Sequence, residues 1–132
     1  MAIQKVESEL FVLRKGKVTA RIDLERGILT WQESQRWNRD FTRSIPRAER
    51  EAFRALLEAC NPLAWEPVYI AESASCGLDH LEGCQESWEL RLYDEADHLL
   101  RKIQGYDSWP PCFCQLAEGI SRLLRQPFQV SL

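Results

Sequence analysis

Polar and apolar residues alternate along several short stretches of the chain, and this two-residue period predicts strands that bury one face. Val18 to Leu24 shows the pattern most clearly, between the β-prone run Glu9 to Leu13 and a further strand at Ile28 to Gln32. Glycine-containing turns separate the three segments. Trp88 to Leu92 and Leu99 to Gln104 flank an acidic turn in the same way. We therefore expect a three-stranded meander and a later hairpin.

Two other segments repeat apolar residues every three or four positions, the spacing of amphipathic helices. The first is predicted to begin near Ser44, whose side chain is suited to cap a first turn, and to end at Asn61-Pro62. The second is predicted to begin at Ser108 and to end at Gln126-Pro127. Each helix presents one apolar stripe, which a sheet can cover.

The remaining segments lack a sustained period. Leu63 to Ala71 contains Pro67, which cannot donate to a sheet ladder, so we expect an edge strand or an extended covering loop. Residues 33–42 and 72–85 are predicted to be loops. The predicted fold class is α+β, with an antiparallel sheet of about five or six strands and both helices on one face.

Composition sets the broad class. A chain of 132 residues that is 45% hydrophobic has the size of one domain, spanning residues 1–132. The net charge of −3 argues against a nucleic-acid partner, since phosphate binding depends on clustered basic residues. The polar N-terminal sequence contains no signal-peptide core and no window long enough to span a membrane, which favours a cytoplasmic location.

The basic and acidic residues are separated along the middle of the chain. Six arginines occur between residues 33 and 54, whereas nine acidic residues and a single arginine occur between residues 66 and 97. Arginine and tryptophan dominate the energetically important positions of protein interfaces. We therefore predict that Arg36, Trp37, Arg39 and Arg43 contact a protein partner or a second copy of the chain.

The cysteines and histidines allow a different function. An odd number of cysteines, five, favours free thiols. Zinc prefers four sulfur or nitrogen ligands, which Cys76, His80 and Cys84 could supply together with Cys112 or Cys114. The spacing is not that of a Cys-x2-Cys knuckle, so incidental thiols or an oxidation-prone pair of cysteines are the favoured alternative. Thiol catalysis at Cys112 or Cys114 is a further alternative.

Common enzyme signatures are missing from the sequence. It contains no Gly-x-Gly-x-x-Gly, P-loop, Gly-x-Ser-x-Gly or His-Glu-x-x-His motif. This absence favours a protein that is not an enzyme and that needs no cofactor, with zinc as the one candidate.

The order Trp88-Glu-Leu-Arg-Leu-Tyr93, then Gly105-x-x-x-Trp109-Pro110, then Phe113-x-x-Leu116 resembles the ending of a group of small uncharacterised bacterial proteins. The layout also resembles that of the emfourins, a family of protease inhibitors. Asp94-Glu-Ala-Asp97 departs from the group, which usually has an Asp-Gly turn there. The resemblance supports the fold, implies a protease-inhibitor-like binder as an alternative function and supplies no catalytic residue.

Together these observations predict a small cytoplasmic binding or accessory protein that acts through a surface, and that could form a homodimer through an open sheet edge. The alternatives are a zinc- or thiol-dependent protein and a protease-inhibitor-like binder.

Overall fold

The computed structural model describes residues 3–34, 40–71 and 86–129. Within these residues it contains seven strands and two α-helices: β1 (Lys5–Val12), β2 (Gly16–Asp23), β3 (Ile28–Glu33), β4 (Phe41–Ser44), α1 (Arg47–Cys60), β5 (Val68–Ile70), β6 (Glu86–Tyr93), β7 (Leu99–Tyr106) and α2 (Phe113–Leu124). A short 3-10 turn, Pro62–Ala64, follows α1. The α+β class predicted from the sequence is confirmed, as are both helices.

The strands form one mixed sheet in the order β4-β3-β2-β1-β6-β7-β5. Every neighbouring pair is antiparallel except β5 and β7, which are parallel. The predicted number of strands, five or six, was therefore too small, and the parallel pair was not predicted. The pair arises because the chain passes through α1 between β4 at one edge of the sheet and β5 at the other. The chain then runs through β5 parallel to β7.

Three segments differ locally from the prediction, and the first of them is α2, which begins at Phe113 rather than at Ser108. Phe41–Ser44 is a strand, where a loop leading directly into a helix was expected. Ser44 therefore belongs to β4 and does not cap α1, whose N-cap is Pro46. The strand was missed because four residues at a sheet edge carry too few apolar positions to establish a period. The first strand begins at Lys5 rather than Glu9, because Val6 and Ser8 also face the core.

The helices and one face of the sheet enclose a hydrophobic core. The sheet contributes alternating side chains from its central strands, including Val6, Ile22, Trp31, Leu90 and Ile103. The helices contribute the stripes that their periodicity predicted, including Phe53 and Leu57 from α1 and Leu116, Ile120 and Leu123 from α2. The opposite face of the sheet carries mostly charged and polar side chains. No helix in the described part of the chain is long and apolar enough to cross a membrane.

A disulfide joins Cys60, the last residue of α1, to Cys112, the N-cap residue of α2. Their Cα atoms are 5.6 Å apart. The prediction of free thiols is therefore wrong for these two cysteines, while Cys114 is a free and exposed thiol. The pairing could not be predicted from spacing, because it depends on the approach of two helix ends that are 52 residues apart.

Candidate docking surface

Arg91 lies at the centre of the open face of the sheet. The register places Arg91 on β6 opposite Glu7 on β1. The guanidinium donates from Nε to Glu7 at 3.0 Å and contacts Glu9 at 3.3 Å. It also pairs with Glu89, two residues earlier on its own strand. One arginine therefore neutralises carboxylates from two strands.

Each of the three carboxylates that contact Arg91 also has a second partner among the neighbouring side chains. Arg21 approaches Glu7 at 2.9 Å, and Lys17 approaches Glu9 at 3.8 Å. Lys102 contacts Glu89, to which Gln104 also donates a hydrogen bond. The centre of the open face is thus a closed network of partly buried charges, and its chemistry stabilises the sheet rather than offering a vacant site.

The ionisation of the network follows from these contacts. Burial acts to raise the pKa of Glu7, but the hydrogen bonds from Tyr93 and Arg91 outweigh it and hold this pKa below its ordinary value. Burial also acts to lower the pKa of Arg91, and its bonds to Glu9 and Glu7 raise the pKa overall. The pKa of Tyr93 is raised by burial and by its bond to Glu7. The ion pair between Glu7 and Arg91 therefore persists at neutral pH.

A row of aromatic and aliphatic side chains, interrupted by Ser87 and called the apolar row below, crosses the open face at one end of the sheet. Phe11 on β1 pairs with Ser87 on β6, Ser87 pairs with Tyr106 on β7, and Tyr106 pairs with Ile70 on β5. Phe11 is 41% exposed and Ile70 is 45% exposed. A shallow hollow of 100 Å³ lies over the small Ser87 side chain, between the rings of Phe11 and Tyr106. The row ends at β5, the edge of the sheet.

The outer side of β5 presents backbone hydrogen-bonding groups. Gln104 donates its backbone N–H to the carbonyl of Pro67 at 2.9 Å, and Ala71 donates to the carbonyl of Tyr106 at 3.1 Å. Alternate residues of a strand bond to the same neighbour, so the N–H and C=O groups of Val68 and Ile70 point away from β7. In the part of the chain that the structure describes, no strand pairs with this side of β5.

Tyr69 anchors β5 from the core side. Its ring stacks on Trp88, with ring centroids 6.0 Å apart, and its hydroxyl accepts a hydrogen bond from the backbone N–H of Glu66. Trp65, just before β5, donates from Nε1 to the carbonyl of Cys60 at 3.0 Å. Arg101 on β7 donates to the carbonyl of Trp65. A strand of only three residues is held in place by these contacts.

A second depression lies between the helices. It has a volume of 280 Å³ and is lined by Phe53 and Leu56 from α1 and by Gly119, Arg122 and Leu123 from α2, among others. The helices approach closely at Gly119, because glycine has no side chain there. A Cβ atom at this position would lie 2.3 Å from the side chain of Leu56. Its lining is mainly apolar, and it offers no arrangement of groups for chemistry.

The structure describes one of the four residues predicted to contact a partner. Arg43 lies on β4, donates from Nη1 to the carbonyl of Leu123 and pairs with Glu49 at 3.6 Å. Its guanidinium therefore connects β4 to both helices. Arg36, Trp37 and Arg39 lie outside the described residues, and their role in partner contact stays a prediction.

The predicted zinc ligands are not brought together by the described residues. Cys76, His80 and Cys84 lie outside them, and Cys112 is bonded to Cys60. A disulfide sulfur is not a thiolate, so Cys112 cannot bind zinc in this state. Across residues 3–34, 40–71 and 86–129, no three Cys, His, Asp or Glu side chains form a group that could hold a metal ion.

Sequence reasoning missed the apolar row and assigned no role to the outer side of β5. Pro67 correctly indicated an edge strand, and exposed Val68 and Ile70 follow it directly. The connection from Ile70 to Phe11 depends on the register of three strand pairs, which no local pattern contains.

The chain was also compared with known proteins. No protein-family model matches it, and no curated protein matches it either. The resemblance to small bacterial proteins and to emfourins therefore stays a prediction.

Proposed function

We propose that the protein is a non-enzymatic binding module that docks an extended segment of a partner protein against the outer side of β5. The observation that carries this proposal is the coincidence of outward backbone groups and exposed aliphatic side chains at Val68 and Ile70. A sheet edge recognises a peptide through main-chain hydrogen bonds, and alternate side chains supply specificity.

The chemistry of the partner segment follows from the side chains that flank the edge. Val68 and Ile70 are 44% and 45% exposed on the open face, and the apolar row continues beyond Ile70 to Tyr106 and Phe11. An added strand alternates its side chains between the two faces of the sheet. The best fit is therefore an extended segment with an aliphatic or aromatic residue at every second position, facing the open side.

The central charge network favours binding over catalysis. Its carboxylates are each paired with at least two cations or donors, so the network holds no unpartnered carboxylate that general acid–base catalysis could use. We retain the proposed cytoplasmic location and a protein partner. We propose the β5 edge as the first contact surface, in place of Arg36, Trp37, Arg39 and Arg43.

The experiment is peptide selection followed by a backbone substitution. A display library of random peptides is selected on the wild-type protein, and the affinity of the selected peptides is measured by fluorescence anisotropy. Ile70→Pro removes an N–H that points away from β7, and so leaves the β5–β7 ladder intact. We expect alternating apolar residues in the selected peptides and a loss of affinity of about tenfold or more in this variant.

Ile28→Ala is the matched side-chain control for Ile70→Ala. Ile28 is 39% exposed on the same open face but lies on β3, which β2, β1, β6 and β7 separate from β5. Binding should tolerate Ile28→Ala and weaken in Ile70→Ala. Selected peptides that bind Ile70→Pro as tightly as wild type would overturn the proposal. So would a wild-type dimer that becomes monomeric in Ile70→Pro, since a second copy would then occupy the edge.

A further inference from the structure

The disulfide between Cys60 and Cys112 is unevenly exposed. Cys60 is 7% exposed and belongs to the core, whereas Cys112 is half-buried at the start of α2. Thiol–disulfide exchange requires a thiolate to reach one of the two sulfur atoms. Cys112 is the more accessible of the two residues, so we expect a thiol from solution to attack its sulfur.

The same disulfide lies at the start of the segment that leads to β5. Residues 61–67 connect Cys60 to Val68, and Trp65 within them donates its indole N–H to the carbonyl of Cys60. Phe113, next to Cys112, packs on Trp88 with ring centroids 4.6 Å apart, and Tyr69 of β5 stacks on the same indole. Both half-cystines thus adjoin aromatic side chains that position β5.

We infer that the Cys60–Cys112 disulfide is a reversible redox site that controls the rigidity of the β5 edge. In the oxidised state, the end of α1 is fixed to the start of α2, and β5 is held along β7. Reduction releases the end of α1 and loosens the edge. The biological meaning of this control rests on the function proposed above, because the edge is the surface that docks the partner.

The reductant is a dithiol, either a small molecule or a protein. One of its thiolates attacks the sulfur of Cys112, which forms a mixed disulfide and releases Cys60 as a thiol after protonation. The second thiol of the reductant displaces Cys112, which leaves as a thiol. The protein gains two electrons and two protons, and the reductant becomes a disulfide. In a reducing compartment, disulfides of this kind are transient and act in redox sensing.

The reduced protein is expected to remain folded. Phe53 and Leu57 of α1 and Leu116 and Ile120 of α2 pack in the core independently of the disulfide. Local regions open at different free energies, and β5 is a three-residue strand with a single described neighbour. Reduction should therefore act mainly at the edge and leave the central strands unchanged.

Native-state hydrogen exchange of the full chain tests the inference. The reporters are the amides of Ala71 and Gln104, which form the hydrogen bonds between the β5 segment and β7. After reduction with dithiothreitol, we expect these two amides to exchange about tenfold faster, while the amide of Ile22 in the central sheet is unchanged. Removal of the reductant in the presence of oxidised glutathione should restore the slow exchange.

Two variants separate this disulfide from the other cysteines. The double variant Cys60→Ser with Cys112→Ser should exchange quickly with or without dithiothreitol. Cys114→Ser, which removes an exposed free thiol, should respond as wild type does. Alkylation of Cys60 or Cys112 in denatured protein that has not been reduced would show free thiols and overturn the inference. Exchange rates at Ala71 and Gln104 that do not change on reduction would also overturn it.

The exchange experiment contains no peptide, so its outcome is independent of docking. Selected peptides that bind at β5, together with unchanged exchange on reduction, would overturn the redox control and leave the proposed function in place. Faster exchange on reduction, without any peptide that binds the edge, would support the redox site and overturn the proposed function.

Discussion

The indole of Trp88 occupies the space beside Gly105 in which any other residue would place its side chain. The two residues pair across β6 and β7, and a Cβ atom at Gly105 would lie 2.0 Å from Nε1 of Trp88. The indole N–H is directed to the carbonyl of Ser108 at 2.8 Å. Because Trp88 also contacts Tyr69 and Phe113, this one position sets the packing behind β5 and at the start of α2.

We predict that Gly105→Ala destabilises the protein by about 3 kcal/mol. The added methyl group must displace either the indole of Trp88 or the carbonyl of Ser108, whose oxygen would lie 2.6 Å from the new Cβ atom. The indole would then lose its hydrogen bond as well as its packing. Urea unfolding followed by tryptophan fluorescence measures the change in the free energy of unfolding.

Gly119→Ala serves as the control for an equally close glycine. Its Cβ would clash with the terminal methyl group of Leu56, at 2.3 Å, and would lie in ordinary contact with the ring of Phe53, at 3.5 Å. The Leu56 side chain borders the depression between the helices. Leu56 can therefore rotate aside, and the gain in helix propensity offsets part of the cost. We expect a change within about 1 kcal/mol. An equal loss in both variants would contradict the role assigned to Trp88.

A second prediction concerns the charge network of the open face. Arg91→Met keeps the aliphatic part of the side chain but leaves the carboxylates of Glu7, Glu9 and Glu89 close together. We expect the free energy of unfolding to fall by about 2–3 kcal/mol near neutral pH, because partly buried like charges then repel one another. The loss should diminish in acid as the carboxylates become protonated, as urea unfolding at several pH values would show.

Arg21→Met is the matched control for Arg91→Met. Arg21 pairs with the same Glu7 at 2.9 Å, but its side chain is 54% exposed. Exposed ion pairs contribute little, so we expect a loss below about 1 kcal/mol. Losses of similar size in the two variants would show that burial of the network does not determine its contribution.

The lowered pKa of Glu7 gives a third prediction. Because the ionised carboxylate is favoured in the folded state, its stabilisation is fully present above the pKa of the unfolded chain, about 4.3, and is lost as the pH falls through the folded pKa. Glu7→Gln should therefore be less stable than wild type by about 1 kcal/mol near neutral pH. The difference should shrink below about pH 4 in urea unfolding.

Glu86 provides a control of opposite sign. Burial, and then the charge of Asp107, raise the pKa of Glu86 above its ordinary value. Its contribution to stability is present below the unfolded pKa and is lost as the pH rises through the folded pKa. Glu86→Gln should therefore gain stability relative to wild type as the pH rises, whereas Glu7→Gln should lose it. A pH-independent difference in either variant would contradict the assigned shift.

The elements that the sequence predicted well are those whose pattern comes from burial on one face. On α1, the stripe of Phe53, Leu57 and Cys60 faces the hydrophobic core of the protein. On β2, Ala20 and Ile22 alternate with polar residues. In each case, burial of one face of the element against the core requires apolar residues at regular intervals. The period can therefore be read from the local sequence without knowing which other element packs against that face.

The elements that could not be predicted depend on contacts between distant segments. The pairing of β5 with β7, and the row from Phe11 to Ile70, follow from strand register alone. The disulfide likewise requires Cys60 and Cys112 to meet at two helix ends. Nothing within a few residues of these positions indicates such long-range contacts. The sequence therefore indicated an edge strand at β5, but neither its pairing with β7 nor a docking role for it.

Arg43 carries the fourth prediction, because its guanidinium connects three elements. It donates to the carbonyl of Leu123 in the last turn of α2, where carbonyl groups have no partner within the helix, and it pairs with Glu49 of α1. We predict that Arg43→Met lowers the free energy of unfolding by about 1–2 kcal/mol and speeds hydrogen exchange in the last turn of α2. Urea unfolding and amide exchange of residues 121–124 measure both effects.

The control for Arg43→Met is Arg125→Met. Arg125 pairs with the same Glu49 at 3.4 Å, but its side chain is 67% exposed and no hydrogen bond from it to a helix carbonyl is found among the described residues. We expect a change within about 0.5 kcal/mol and no effect on exchange in α2. If Arg43→Met behaves in the same way, its guanidinium is not needed to hold the helix, and partner contact stays its predicted role. The two variants therefore decide whether Arg43 is needed to hold the end of α2.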